Sequence, residues 1–140
     1  MVHFVIQWDL PDQKANLTIY ANKAKNDWLP TTLSHKGVIE IRNYRNPLEV
    51  TPHVAITIDF ETLDNWRDFI DSQDYIRIMR ELRILGCNNF TVNVWAPSKY
   101  FPESMKPYDS AAKLFGNVLV ARVLSRKSIN RTPTFSSLSS

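Results

Sequence analysis

The chain has 140 residues, a net charge of +3, 44% hydrophobic and 22% charged residues, a balance that suits one domain with a buried core and argues against a disordered chain. A single cysteine, Cys87, excludes an intrachain disulfide and a cysteine-built metal site. The charge is uneven, with ten Lys and Arg against twelve Asp and Glu in residues 1–96 and seven against two in residues 97–140; a solvated basic end explains this more simply than an anionic partner does.

The opening MVHFVIQWDLPD has no basic leader and only a short apolar run before Asp9, so neither a signal peptide nor a membrane span is expected and a cytoplasmic location is the default. Val2, Phe4, Ile6 and Trp8 alternate with His3, Val5 and Gln7, the pattern of a strand with one buried face. Asp9 or Asp12 could cap the helix that follows, with Pro11 near its first turn. Leu17, Ala21, Ala24 and Trp28 form its apolar stripe. Pro30 is expected to end or kink that helix near Trp28, leaving Thr31 to Gly37 as a loop.

A hairpin is expected next. Ile39 and Ile41 alternate with Glu40, Arg42 and Tyr44, and Val54, Ile56, Ile58 and Phe60 alternate with His53, Ala55, Thr57 and Asp59. Pro47 and Pro52 suit the connection between them because they lack amide donors. Thr62 then caps a short helix bearing Leu63, Trp66 and Ile70, and a break near Ser72 and Gln73 precedes a helix with Tyr75, Met79, Leu82 and Leu85 on one stripe and Arg77, Arg80, Glu81 and Arg83 pointing away. Gly86 is a natural left-handed terminator, and Phe90, Val92 and Val94 mark a last strand. Beyond Trp95, prolines punctuate a loop, Asp109 to Phe115 reads as a short helix, Val118 to Leu124 fits helix or strand, and the Ser- and Thr-rich end is expected to be flexible from about residue 125.

The order βαββααβ implies an α+β, ferredoxin-like domain over residues 1–96, a four-stranded antiparallel sheet with helices on one side, followed by a basic C-terminal extension over residues 97–140. Ile39, Ile41 and the even-numbered faces of the other strands should meet the helices. His3, Gln7, Glu40, Arg42, Tyr44, Thr57, Asn93 and Trp95 should lie on the opposite side.

Three stretches, WLPTTLSHKGVIEIRNYRNP, HVAITIDFETLDNW and SQDYIRIMRELR, carry a resemblance to the dimeric α/β-barrel superfamily, and within it to the antibiotic-biosynthesis-monooxygenase type. The resemblance covers residues 1–96 and rests on pattern. It implies a homodimer in which two sheets close a barrel, a pocket between helices and sheet in each subunit, and a small-molecule-binding protein or cofactor-independent monooxygenase acting on an aromatic or polyketide-like compound. The superfamily also contains heme-degrading enzymes, but the third helix has Tyr75, Met79 and Arg80 and no histidine to act as the proximal ligand expected there.

Four residues are candidates for ligand binding. Trp66 matches the position of a pocket aromatic on the second helix of monooxygenase-type relatives, with core packing as the competing explanation. Asn43 falls by strand parity on the apolar side, where an amide needs partners, although a strand-end position near water would also serve it. Tyr20 and Trp28 lie on or beside the inner stripe of the first helix. His3, His35 and His53 are scattered without metal-ligand spacing, so no metal site is expected and solvated side chains suffice. No nucleophilic triad, paired-carboxylate signature or glycine-rich phosphate loop occurs, and no cofactor is expected. The outer strand positions lack the aromatic platform of an RNA-binding sheet, which disfavours nucleic acid. The competing function is a non-catalytic dimerisation or regulatory module whose basic tail engages a partner.

Overall fold

A computed structural model describes residues 1–107. The chain divides into two units at Pro97 and Ser98, and the sheet and its helices belong to the first. The segments Asp109 to Phe115 and Val118 to Leu124 and the basic end from Ser125 lie outside the described residues.

Strand β1 spans Val2–Asp9, with Val2, Phe4, Ile6 and Trp8 buried on one face. It lies at the centre of a four-stranded antiparallel sheet with β2 (Val38–Arg45), β3 (Val54–Phe60) and β4 (Asn88–Trp95), in the order β2-β3-β1-β4. Across β1 and β3, Phe4 faces Ile58 and Ile6 faces Ile56; across β1 and β4, Phe4 faces Val94 and Ile6 faces Val92. Phe4 and Phe60 are essentially without exposure, and burial of each side chain contributes about 1.5–3 kcal/mol. The sheet is antiparallel and ferredoxin-like, as its element order implies.

The expected parity of β2 fails at its start. A bulge between Val38 and Glu40 places Val38 opposite Phe60, Glu40 opposite Asp59 and Ile41 opposite Ile58. An extra residue opposite one partner turns the chain over, so Val38 and Ile41 pack against the core while Ile39 is 49% exposed. A second irregularity, between Gln7 and Asp9, occurs where β1 meets the first residues of β4. There Asn89 has φ 54° and donates from Nδ2 to Asp9 Oδ2 at 2.7 Å. Asp9 is therefore a buried strand residue and caps no helix.

Helix α1 spans Lys14–Lys23, with Gln13 at its start and no side-chain cap. Pro30 does not end it. The helix passes through a π-helical stretch, Ala24–Trp28, into α2 (Leu29–Leu33), with Pro30 in the first turn of α2. The Leu29 amide bonds the Ala24 carbonyl five residues back, and the widened turn accommodates a ring that has no N–H and would crowd a regular α-helical turn. Thr32 Oγ1 donates to the Trp28 carbonyl at 2.8 Å, satisfying a group in this region.

Helices α3 (Leu63–Ile70) and α4 (Gln73–Ile84) start as their sequences indicate. Thr62 Oγ1 accepts from the Asn65 amide and Ser72 Oγ from the Tyr75 amide, side-chain caps of the kind worth about 1 kcal/mol each. At the end of α4, Gly86 has φ 102° and the Cys87 amide returns to the Leu82 carbonyl at 3.1 Å. Phe69, Ile78, Met79 and Leu82 complete the core.

The polar face of α4 is less solvated than its sequence suggests. Arg77 pairs with Asp27 through Nη1–Oδ2 and Nη2–Oδ1, both at 2.9 Å, and Glu81 Oε1 lies 3.2 Å from Lys23 Nζ. These two residues face the first helical segment, while Arg83 lies 5.3 Å from the Phe90 ring centroid. None of the described helices is long and apolar enough to cross a membrane.

Candidate functional site

The space between the first helical segment and the sheet holds two adjoining chambers. The inner one has a volume of about 60 Å³ and is walled mainly by buried apolar side chains, among them Ile6, Trp28, Ile56, Ile58, Phe69, Met79 and Leu82. The outer one, about 400 Å³, reaches the surface past Ala21, Lys25, Tyr44, Val54 and Ala55. Trp8, Tyr20, Ala24, Leu29 and Asn43 line both chambers and form the neck between them.

Each neck residue is there for a local reason. Trp8 continues the buried face of β1, and its ring stacks on Phe90 at 6.0 Å between centroids. Tyr20 leans from α1 against Trp28 in an edge contact at 5.6 Å. Ala24 and Leu29 lie at the start and just past the end of the π-helical stretch, so the irregular turn shapes the helix side of the cavity. Asn43 projects from β2 opposite Ile56, two residues beyond Ile41 on the core side.

The polar groups of this space are few. Trp8 is 6% exposed and its indole N–H has no hydrogen-bond partner. Burial pushes the Tyr20 hydroxyl up to about 12, and proximity to Cys87 adds to the shift. Trp8 moderates that effect, yet the two groups do not reach hydrogen-bonding geometry. Tyr20 is accordingly a neutral donor at physiological pH. Tyr75, on the inner wall, is also raised by burial, against the pull of Arg83. Trp28 turns its N–H away to Glu81 Oε1 at 2.9 Å. No carboxylate or imidazole lines either chamber, so these walls can exclude water and donate hydrogen bonds but offer no ordinary general base.

The structure brings Tyr20, Trp28 and Asn43 to one cavity. Trp66 lines neither chamber. It packs edge-on against Phe4 at 5.8 Å and its indole N–H is buried without a partner, because α3 lies over a different part of β1 from the first helix. Trp8 was missed as a site candidate, although its place at the end of a buried strand face, with an N–H to satisfy, was a usable signal. The histidines are all engaged: His3 Nδ1 with Asp59 at 2.6 Å, His35 Nε2 with Asp74 at 2.9 Å, and His53 Nδ1 as acceptor from the Leu10 amide at 2.9 Å. Among the described residues no group of His, Cys, Asp or Glu is arranged to hold a metal ion.

No family model and no curated protein matches the sequence. Solved structures do match its fold. A Deinococcus radiodurans protein assigned to the antibiotic biosynthesis monooxygenases is 11% identical, with a TM-score of 0.60 over 76% of this chain and 97% of its own. A Mesorhizobium loti protein of the DABB family, with a ferredoxin-like fold, is 13% identical, with a TM-score of 0.56 over 69% of this chain and 96% of its own. A dimeric Bacteroides fragilis protein of unknown function and ferredoxin-like fold is 13% identical, with a TM-score of 0.53 over 67% and 93%. Residues 1–97 thus have the ferredoxin-like fold seen in proteins of the antibiotic-biosynthesis-monooxygenase and DABB types.

Proposed function

We propose that the protein is a cytoplasmic homodimer that binds a small, largely apolar compound, aromatic or polyketide-like, in the cavity between its first helical segment and its sheet. The observation that carries this reading is the neck, where Tyr20 and Asn43 stand in the lining of a largely apolar channel. A pocket of about 150 Å³ can hold a benzene-sized ring. The inner chamber is smaller than that, so a ring belongs in the outer one with a substituent reaching inward.

Oxygenation without a cofactor is the enzymatic form of this reading. The lining supplies no carboxylate or imidazole base, so a substrate would have to be acidic enough to ionise by itself or with solvent, and the walls would orient it and exclude water. Dimerisation is supported by the outer side of the sheet, where Tyr44 is 48% and Trp95 61% exposed. A buried free thiol at Cys87 accords with a reducing compartment.

Calorimetric titration of the full chain with a panel of aromatic ketones, phenols and hydrocarbons tests the binding reading. Saturable binding that is lost when the neck is filled by Ala24→Leu supports it. The second reading is a dimerisation module, favoured by the smallness of the inner chamber; a dimer that binds nothing on the panel would establish it.

A further inference from the structure

The outer chamber opens between the first helical segment and β2, and each side of the opening carries a cation. Lys25, in the π-helical stretch, is the only charged residue in the lining of either chamber. Two residues earlier Lys23 is held by Glu81 at 3.2 Å, whereas Lys25 is exposed and has no ion-pair partner among the described residues. On the strand side, Arg45 lies two residues beyond Asn43 on the same side of β2 and pairs in register with Val54, a residue of the chamber wall. Arg45 is likewise exposed and without an ion-pair partner among the described residues. Asn43 lines the chamber, and its side chain makes no hydrogen bond among the described residues. A cation on an open surface is ordinarily just solvated. Here the two flank an apolar concavity with no carboxylate in its lining to neutralise them, and low-dielectric walls of that kind focus a field of one sign.

We infer that the ligand is an organic anion, its apolar body in the outer chamber and its charged group at the opening, where Lys25 and Arg45 attract it and the Asn43 amide supplies a neutral donor. This rests on the proposed ligand-binding role of the cavity and narrows it to a chemical class. It also meets a need of that reading. With no carboxylate or imidazole in the lining a substrate must arrive ionised, and a cation close by favours the ionised form of an acid. Lys25 and Arg45 are binding residues in this account.

The test pairs 1-naphthoate with 1-naphthamide, two probes of nearly the same shape of which only the first is charged. Calorimetric titration of the full chain at neutral pH and low ionic strength should show the carboxylate binding about fivefold more tightly than the amide. That advantage should shrink as salt is added and should persist in Lys25→Arg. It should vanish in the double variant Lys25→Met with Arg45→Gln, whose exposed positions leave the core untouched. Equal affinity of the wild type for the two probes, or a preference for naphthoate that survives the double variant, would overturn the anion assignment and leave an uncharged pocket standing. Binding of neither probe would overturn both.

Discussion

Trp28 donates its indole N–H to Glu81 Oε1 at 2.9 Å, so a wall of the inner chamber is tied directly to the charged cluster between the first helical segment and α4. Arg77 joins that cluster through Asp27 and lies 3.2 Å from Glu81. The Trp28 hydrogen bond holds the Glu81 carboxyl below the usual carboxylate range, with Lys23 and Arg77 assisting, and Arg77 does the same for Asp27.

These depressed values fix the sign of a pH effect. Carboxylates whose folded-state values lie below their unfolded ones stabilise the protein above the unfolded range, and that stability is lost as pH falls through the folded values. Thermal melts should therefore show Tm falling as pH drops from about 5 towards 3. Glu81→Gln should lower Tm at neutral pH and flatten the acid slope. An unchanged slope would show that the cluster is solvated and uncoupled from folding.

Trp66→Phe should leave ligand affinity unchanged, because Trp66 lines neither chamber. Loss of an unpartnered indole N–H offsets part of the lost area, so stability should change by no more than about 1 kcal/mol. Denaturant unfolding beside ligand titration checks both statements, and a selective loss of binding would return Trp66 to the site.

Gly37 has φ 82°, and a Cβ there would collide with the Asn65 side chain near the start of α3. Gly37→Ala should therefore destabilise the fold by more than about 1 kcal/mol, combining backbone strain with the clash. Chemical denaturation measures this directly, and a neutral result would mean that Asn65 moves aside freely.

Sedimentation at micromolar concentration should give about twice the chain mass of 16.2 kDa. The double variant Tyr44→Glu with Trp95→Glu should sediment as a monomer while keeping its far-ultraviolet circular dichroism. A dimer that survives both changes would place the interface elsewhere than the outer face of the sheet.

The sequence by itself determined the local choices. Strand parity put Phe4, Ile6, Ile56 and Ile58 in the core, and Thr62, Ser72 and Gly86 marked helix ends, because each signal depends on a few neighbouring residues and a fixed backbone period. Tyr20 and Trp28 were legible as inward-facing for the same reason. Only the tertiary structure decided what depends on elements meeting. The bulge at Ile39 breaks the two-residue period and exchanges it for Val38, and the π-helical stretch carries the helix through Pro30 by a change of hydrogen-bond register that no residue type encodes. Arg77 and Glu81 read as solvated until Asp27 and Trp28 arrive from fifty residues away. Trp66 has the sequence position of a pocket aromatic on its own helix, but it lies outside the cavity that Tyr20, Trp28 and Asn43 line, since a cavity is a property of the gap between elements.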